Sequence, residues 1–369
     1  MQKTYPGYLR LCAAGLLLTM FAASCKKDNS KPPVPVVPPK PIASIGLYEV
    51  DSGIYKRIFI PISKIGTQSV NFYSVFDTGS TGMTVDASGL IPASMITSSG
   101  ITVPGDSINV NGITVTNQTA VIAYGNAQSE IQEFGNLAYA TTIIGTTVDG
   151  ITTTRIPFFL YYKIVDATTG KKQPVHSNDV FGVGPGVSFT SSKIGSPLSY
   201  FKMPTNVTNG FKLGQLISSS FSLNGTFVSD LLTIGLIPDD LSASSGFIMH
   251  PLTYYSQGGY SPDIPATVTY NGKNVAATLL FDTGTPAIST IEDPAAASDI
   301  ASLPANTSVT MTTSSGFTYT YMTSGADNLT QVAKPSYTGD PRTIFGIDFF
   351  IDNEFLTDYA DHKIGLKNN

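Results

Sequence analysis

The sequence predicts an all-β protein built from two similar lobes that are related by a pseudo-twofold axis. Only 13% of the residues are charged, while serine, threonine, glycine, valine and isoleucine abound, a composition typical of β-rich proteins. The tripeptide Asp-Thr-Gly occurs twice, at 77–79 and at 282–284, each time at the end of an apolar run. This duplication predicts one lobe at residues 45–222 and a second at residues 223–369.

The two Asp-Thr-Gly copies stand in matching surroundings. The segment before each copy has a strand, turn and strand pattern, and the second turn is Asn271-Gly272, which favours a tight hairpin because both residues tolerate positive φ. Two apolar residues and a glycine follow each copy further along, at 180–182 and at 344–346. A single Asp-Thr-Gly is often only a polar turn after a strand. Two copies in matching surroundings favour two aspartates that meet at one site.

Two adjacent carboxyl groups have a specific chemistry. When they lie within hydrogen-bond distance, they cannot both ionise cheaply, so they share one proton. The ionised carboxylate can then take a proton from water while the protonated one polarises a carbonyl group. We therefore predict that Asp77 and Asp282 form a catalytic pair that needs neither a metal nor another cofactor.

Further motifs support a resemblance to a known protein family. Ile122-Ala123-Tyr124-Gly125, the glycine-rich 181–186 and the long C-terminal segment 343–366 follow the Asp-Thr-Gly copies in a familiar order. From about residue 45 onward the chain resembles the pepsin-like, two-lobed aspartic peptidases. The resemblance implies an endopeptidase that hydrolyses bonds in extended, apolar-flanked segments of a peptide or protein held in the cleft between the lobes. It also implies that Tyr124 lies on a flap over the cleft and that six neighbours shape the aspartate pair, namely Thr78, Gly79, Ser80, Thr283, Gly284 and Thr285.

Two departures from this family favour another function. The chain has no tryptophan, and Thr84 stands where many relatives place the tryptophan that supports the flap tyrosine. The segment between Asp282 and Gly346 also looks short. These features favour a catalytically weak, peptide-binding or inhibitor-type surface lipoprotein as the alternative, and an adhesion or structural lipoprotein is a third possibility.

The N-terminus resembles a bacterial lipoprotein signal. Lys3 and Arg10 precede a short apolar run that ends in Ala22-Ala23-Ser24-Cys25, and this run is too short for a transmembrane helix. The resemblance implies that residues 1–24 are removed, that Cys25 is lipidated and that the proline-rich segment 25–44 is a linker. We expect a protein anchored in the bacterial cell envelope, at the outer membrane and either periplasmic or surface-exposed. An ordinary secretory signal with an incidental cysteine is the alternative.

Charge and cysteine content limit the partners. The formal net charge is −5 and no basic cluster is present, so nucleic acid is not expected to bind. The two cysteines are Cys12 and Cys25, which leaves no thiol for a disulfide in the folded part. The three histidines lack ligand-spaced partners, so we expect no metal site. We also expect a monomer.

Overall fold

The computed structural model describes residues 38–188, 194–325 and 328–369. The predicted signal peptide, Cys25 and most of the predicted linker lie outside the described residues. The described chain is mostly strands, which confirms the predicted fold class. The strands of the first half are β1 (Ala43–Val50), β2 (Arg57–Ile65), β3 (Gln68–Asp77), β4 (Thr81–Asp86), β5 (Ile96–Thr97), β6 (Gly100–Ile101), β7 (Ser107–Val110), β8 (Ile113–Asn126), β9 (Ser129–Ala140), β10 (Thr142–Ile144), β11 (Ile151–Thr152), β12 (Ile156–Asp166), β13 (Val180–Val183) and β14 (Thr208–Leu213).

The second half adds further strands and a few short helices. Its strands are β15 (Thr226–Leu236), β16 (Ile248–Pro251), β17 (Tyr254–Tyr255), β18 (Gly259–Tyr260), β19 (Ile264–Tyr270), β20 (Lys273–Phe281), β21 (Ile288–Glu292), β22 (Ile300–Ser302), β23 (Ser308–Thr313), β24 (Thr318–Met322), β25 (Leu329–Ala333), β26 (Thr343–Phe345), β27 (Asn353–Asp358) and β28 (Lys363–Asn368). The α-helices are α1 (Pro238–Leu241), α2 (Pro335–Thr338) and α3 (Phe349–Asp352), and single 3-10 turns lie at Ala93–Met95, Pro197–Tyr200, Ser218–Ser220 and Ala243–Ser245. None of the helices in the described part of the chain is long and apolar enough to span a bilayer.

Two large sheets carry the fold. The first has the strand order β16-β28-β27-β14-β15-β1-β2-β3-β13-β4-β12-β9-β8-β7, with β10 paired to β2 and β11 paired to β10. The second has the order β22-β25-β21-β26-β20-β19-β23-β24. Strands β16, β27 and β28 of the second half join β14, β15 and β1 in the first sheet, so hydrogen bonds between strands link the two halves of the chain.

The strand pairing around the first Asp loop is repeated around the second. The β2–β3 hairpin leads into the first loop, and β13 runs parallel to β3 and antiparallel to β4. In the second half the β19–β20 hairpin leads into the loop, and β26 runs parallel to β20 and antiparallel to β21. The duplicated sequence pattern therefore folds into two equivalent strand arrangements.

Local sequence signals explain the β19–β20 hairpin and the aromatic core that supports the two Asp loops. Asn271 and Gly272 have φ values of 48° and 72°, as the predicted turn between β19 and β20 requires. Behind each Asp loop, a phenylalanine that precedes the aspartate stacks on the phenylalanine of the apolar-apolar-Gly element. The ring centroids are 6.4 Å apart for Phe76 and Phe181 and 5.8 Å apart for Phe281 and Phe345. All four rings are buried, so the strand ends that carry the aspartates rest on packed core.

Candidate active site

Each aspartate is held by its own loop in the same way. In the first loop the Gly79 amide donates to Asp77 Oδ1 at 2.8 Å, and the Ser80 hydroxyl donates to Asp77 Oδ2 at 2.5 Å. In the second loop the Gly284 amide donates to Asp282 Oδ1 at 2.8 Å, and the Thr285 hydroxyl donates to Asp282 Oδ2 at 2.6 Å. The loops orient both carboxyl groups by equivalent hydrogen bonds, in which the residue two positions after each aspartate is glycine and the next carries a hydroxyl.

The two threonines of the Asp-Thr-Gly motifs join the loops. The Thr78 hydroxyl donates to the Phe281 carbonyl at 2.7 Å and accepts from the Thr283 amide at 3.0 Å. The Thr283 hydroxyl donates to the Phe76 carbonyl at 2.6 Å and accepts from the Thr78 amide at 3.0 Å. Both side chains are buried. Four hydrogen bonds therefore fix the relative position of two loops that are about 200 residues apart in the sequence.

The glycines of the motifs let the two carboxyl groups come together. A Cβ atom at position 79 would lie 2.5 Å from the Asp282 Cγ, and one at position 284 would lie 2.7 Å from the Asp77 Cγ. Any other residue would thus collide with the carboxyl group of the opposite loop. The same Cβ atom at position 284 would lie 2.8 Å from Asp77 Oδ1 and 3.0 Å from Asp282 Oδ1, so the two carboxyl groups adjoin each other in the space that the glycines leave.

Burial and charge favour a shared proton. Burial raises the pKa of Asp77 well above its ordinary value, and the charge of Asp282 and the hydrogen bond to it raise it further. Two cationic side chains, Arg57 and Arg342, interact electrostatically with Asp282. The burial of Asp77 and its proximity to Asp282 therefore favour one proton shared by the pair.

A long hairpin covers this site. Strands β8 and β9 pair from Thr114↔Tyr139 to Asn126↔Ser129, with Ala127 and Gln128 at the turn. The tip is bonded to α2 of the second half. The Ala127 amide donates to the Thr338 carbonyl at 2.9 Å, and the Gln128 side chain donates to the Tyr337 carbonyl at 2.9 Å.

The predicted flap tyrosine lies three residues before the turn. Burial raises the pKa of Tyr124 well above its ordinary value, with further contributions from the negative charges of Glu133 and Asp77. The buried Thr84 hydroxyl lies close enough to lower this pKa, although it makes no hydrogen bond of ordinary geometry within the described chain. The structure thus brings Tyr124 near the aspartate pair and places Thr84 beside the tyrosine hydroxyl.

Glu133 is a buried acid on the second strand of the hairpin, which the sequence analysis missed. Its side chain is fully buried, Oε1 accepts from the Asn178 amide at 3.0 Å, and Oε2 has no hydrogen-bond partner among the described residues. Burial raises the pKa of Glu133 to about 8. Strand alternation could have indicated its position. Ile131 pairs with Tyr124, and Glu133, two residues after Ile131, lies on the same face of the hairpin.

Two further expectations from the sequence concern the lipid site at Cys25 and the three histidines. Cys25, the predicted lipid site, lies outside the described residues. Each histidine contacts a different residue. His176 pairs with Asp179 at 2.8 Å, His250 forms a hydrogen bond with Thr313 at 2.8 Å, and His362 stacks on a tyrosine ring. Within residues 38–188, 194–325 and 328–369, no group of three or more His, Cys, Asp or Glu side chains is arranged to hold a metal ion.

Comparison with known proteins supports the fold assignment. No family model matches the sequence, and no curated protein matches it. Among solved structures, the aspartic proteinase from Irpex lacteus is similar with a TM-score of 0.55 and 15% identity over 88% of this chain and 97% of that chain. The chain has the two-lobed fold of the pepsin-like aspartic proteinases.

Two plant proteins have a similar structure. Basic 7S globulin from soybean aligns with a TM-score of 0.52 and 13% identity over 90% of this chain and 97% of that chain. Conglutin gamma, a basic 7S globulin from lupine seeds, aligns with a TM-score of 0.53 and 13% identity over 89% of this chain and 96% of that chain. Since structures named as a proteinase and as globulins are similar to about the same degree, the fold alone does not identify an enzyme.

A first prediction concerns the threonines that join the loops. Thr78→Val keeps the shape but leaves the Phe281 carbonyl and the Thr283 amide without partners in a buried place, so we expect a loss of about 3 kcal/mol in the free energy of unfolding. Thr78→Ser keeps the hydroxyl and should lose far less. Urea unfolding measures both. Thr320→Val, which removes a hydroxyl from an exposed threonine pair, is the control, and a Thr78→Val variant as stable as this control would contradict the prediction.

A second prediction concerns stability against pH. Burial raises the pKa of Glu133 to about 8 and that of Glu49 to about 7, above the values of these groups in the unfolded chain. The folded state therefore keeps protons that the unfolded state releases, and the free energy of unfolding should fall as pH rises from about 4.5 to 8. The share of Glu133 should be on the order of 3 kcal/mol.

Urea unfolding of the wild type and of Glu133→Gln at pH 5 and pH 8 tests this second prediction. The variant keeps a neutral side chain of the same shape at every pH, so its stability should fall less between the two pH values. Parallel profiles for the two proteins would show that Glu133 ionises normally in the folded state.

Proposed function

We propose that this protein is an aspartic-type endopeptidase that hydrolyses peptide bonds in extended, apolar-flanked segments of a peptide or protein substrate. One observation carries the proposal: the carboxyl groups of Asp77 and Asp282 adjoin each other beside Gly79 and Gly284, and each is oriented by the glycine amide and the hydroxyl of its own loop. This is the arrangement that shared-proton chemistry requires.

The proposed reaction uses water as the nucleophile. The ionised carboxylate takes a proton from a water molecule, which attacks the scissile carbonyl carbon, while the proton of the other carboxyl group polarises the carbonyl oxygen. The tetrahedral intermediate then collapses as the leaving nitrogen receives a proton from the aspartate that accepted one from water. The raised pKa of Asp77 beside Asp282 supports one proton shared by the two carboxyl groups at the start of the cycle.

The flap supplies the second element of the proposal. With its tip bonded to Thr338 and Tyr337, the hairpin must open for a substrate to enter and can close again over it. Closure removes water from the reacting groups and strengthens their electrostatic interactions. Tyr124, whose hydroxyl end is enclosed near Asp77, would contact the substrate from above.

A peptide-binding protein without catalysis is the second candidate. Two structures named as globulins resemble the chain as closely as the proteinase does, and Thr84 makes no ordinary hydrogen bond to the flap tyrosine. A less firmly held flap could bind peptides while hydrolysing them slowly. The aspartate pair with its complete set of supporting hydrogen bonds favours the enzyme.

The location is also a proposal. The apolar run and the Ala-Ala-Ser-Cys segment that ends at Cys25 support a lipid-anchored protein of the bacterial cell envelope, held at the outer membrane by the lipid on Cys25. A proline-rich linker would separate the folded part from the membrane, since proline favours extended conformations. We further propose that the protein acts as a monomer.

The third prediction tests the reaction. Asp77→Asn and Asp282→Asn each remove the shared proton while keeping the side-chain shape, so each should lower kcat by about 10³-fold or more. Activity of the wild type should fall as pH rises through the upper pKa of the pair, which lies above the ordinary aspartate value because Asp77 is raised. The full-length protein and a diverse peptide library between pH 3 and 7 provide the measurement.

Inhibition separates this reaction from other proteolytic chemistry. A statine-like analogue mimics the tetrahedral intermediate and should inhibit, whereas thiol reagents should not. Undiminished cleavage by either asparagine variant would assign the activity to another site. Peptides that bind but are not cleaved at any pH would favour the peptide-binding alternative.

The fourth prediction tests the anchor. Cys25→Ala removes the proposed lipid site without touching the folded part, so the variant should move from the membrane fraction to the soluble fraction of the cell while peptide hydrolysis is unchanged. Cell fractionation followed by detection of the protein measures this. Continued membrane association of Cys25→Ala would exclude lipidation at this residue as the anchor.

A further inference from the structure

Arg57 is a cation beside the aspartate pair that the proposed reaction does not use. It is the first residue of β2 and is half-buried. Strands β2 and β3 pair antiparallel with Phe59 opposite Val75, and β3 ends at Asp77, so Arg57 and Asp77 lie at the same end of this ladder. The guanidinium group interacts electrostatically with Asp282 and with Asp77. The loop that precedes it contacts the second Asp loop directly, because the Ala287 amide donates to the Ile54 carbonyl at 3.2 Å.

The segment around Arg57 is firmly held. Its neighbour Lys56 is buried and lies 3.8 Å from Asp348, and Lys56 also lies over the Phe221 ring. On the other side, Arg57 pairs with Val50 in the β1–β2 ladder. The backbone that carries the Arg57 guanidinium group is therefore fixed relative to the aspartate pair.

Arg57 differs from the other arginines of the described chain in its partners. Arg342 also lies near Asp282, but Asp340 holds it through two donors at 2.9 and 2.7 Å, and Asp263 lies 3.9 Å away. Arg155 is exposed and lies over a tyrosine ring. Within the described residues, Arg57 forms no salt bridge, and its one hydrogen bond goes from Nη1 to the Lys56 carbonyl at 3.1 Å.

A guanidinium group has five N–H donors in a planar fork that matches a carboxylate. Arg57 is partly desolvated, which makes a new charge-assisted hydrogen bond to it worth more than one on an exposed side chain. Arg57 lies at the end of the β2–β3 ladder where β3 leads into the first Asp loop, so we expect a substrate bound at the aspartate pair to pass within reach of its remaining donors.

We propose that Arg57 selects substrates with an acidic side chain a few residues to one side of the scissile bond. This inference rests on the proposed function, since it names the substrate class of the same cleft. The apolar side chains that we expect next to the scissile bond would lie at other positions of the same peptide.

The test uses pairs of peptides that differ only by glutamate or glutamine at one position. The series covers three positions on each side of the scissile bond, and both ends of every peptide are capped. For the full-length protein, kcat/KM is measured at pH 3.5 and pH 5.5 for the wild type, Arg57→Gln, Arg57→Lys and, as the control, Arg155→Gln. Binding of fluorescent versions of the same peptides is measured in parallel.

We expect the glutamate peptide to be preferred at one position on one side by about ten-fold or more at pH 5.5. The preference should shrink at pH 3.5, because the glutamate side chain becomes protonated while Arg57 stays charged. It should vanish in Arg57→Gln, survive in part in Arg57→Lys and be unchanged in Arg155→Gln. Since the ratio compares two peptides with one enzyme, any effect of Arg57 on the aspartate pair cancels.

Several outcomes would overturn the inference. A ratio near one at every position in the wild type, or a preference that persists in Arg57→Gln, would show that Arg57 does not select acidic substrates. If only peptides with a free C-terminus gained affinity, the recognised carboxylate would be the chain end instead of a side chain.

The two proposals fail in different ways. Peptides that bind with an Arg57-dependent glutamate preference but are not hydrolysed would refute the peptidase and keep the inference. Hydrolysis without that preference would do the reverse. If no peptide is cleaved or bound at either pH, both are refuted.

Discussion

The reciprocal hydrogen bonds of Thr78 and Thr283 are the interaction on which the site depends. Each hydroxyl donates to a carbonyl and accepts from an amide of the opposite loop. Neither loop can satisfy these buried groups by itself, and a buried polar group without a partner is costly. The two halves must therefore close on each other for either loop to be stable, and that closure is also what brings Asp77 and Asp282 together.

The two halves repeat the backbone of the site but not its surroundings. Asp77 lies near Tyr124 of the flap hairpin, whose second strand carries the buried Glu133. Arg342 interacts electrostatically with Asp282, and Arg57 interacts with both aspartates. The two equivalent loops therefore face different neighbours, so the site is symmetric in its backbone and asymmetric in its side chains.

The parts of this structure that could be predicted from sequence are those with a local or repeated signal. The two Asp loops, the Asn271-Gly272 turn and the flap tip between β8 and β9 all depend on neighbouring residues or on duplication. Arg57 and Glu133 carry no such signal. Each is a charged residue in a strand, and its role depends on partners such as Asp282 for Arg57 and Asn178 for Glu133, which are distant in the sequence and which only the folded chain brings near. The alternation of side chains along β9 indicates which face of the strand Glu133 occupies, but it does not indicate that this face is buried away from water.

The cost of the aspartate pair bears on whether the protein is an enzyme. Two carboxyl groups in hydrogen-bond contact, one of them with a strongly raised pKa, lower the stability of the fold wherever both would otherwise ionise. The glycines make room for that contact, and the hydroxyl residues orient the two carboxyl groups. A protein that only bound peptides could replace either aspartate by asparagine and relieve the repulsion without altering the cleft. The presence of both acids, together with the groups that orient them, is the reason that we propose hydrolysis instead of binding alone.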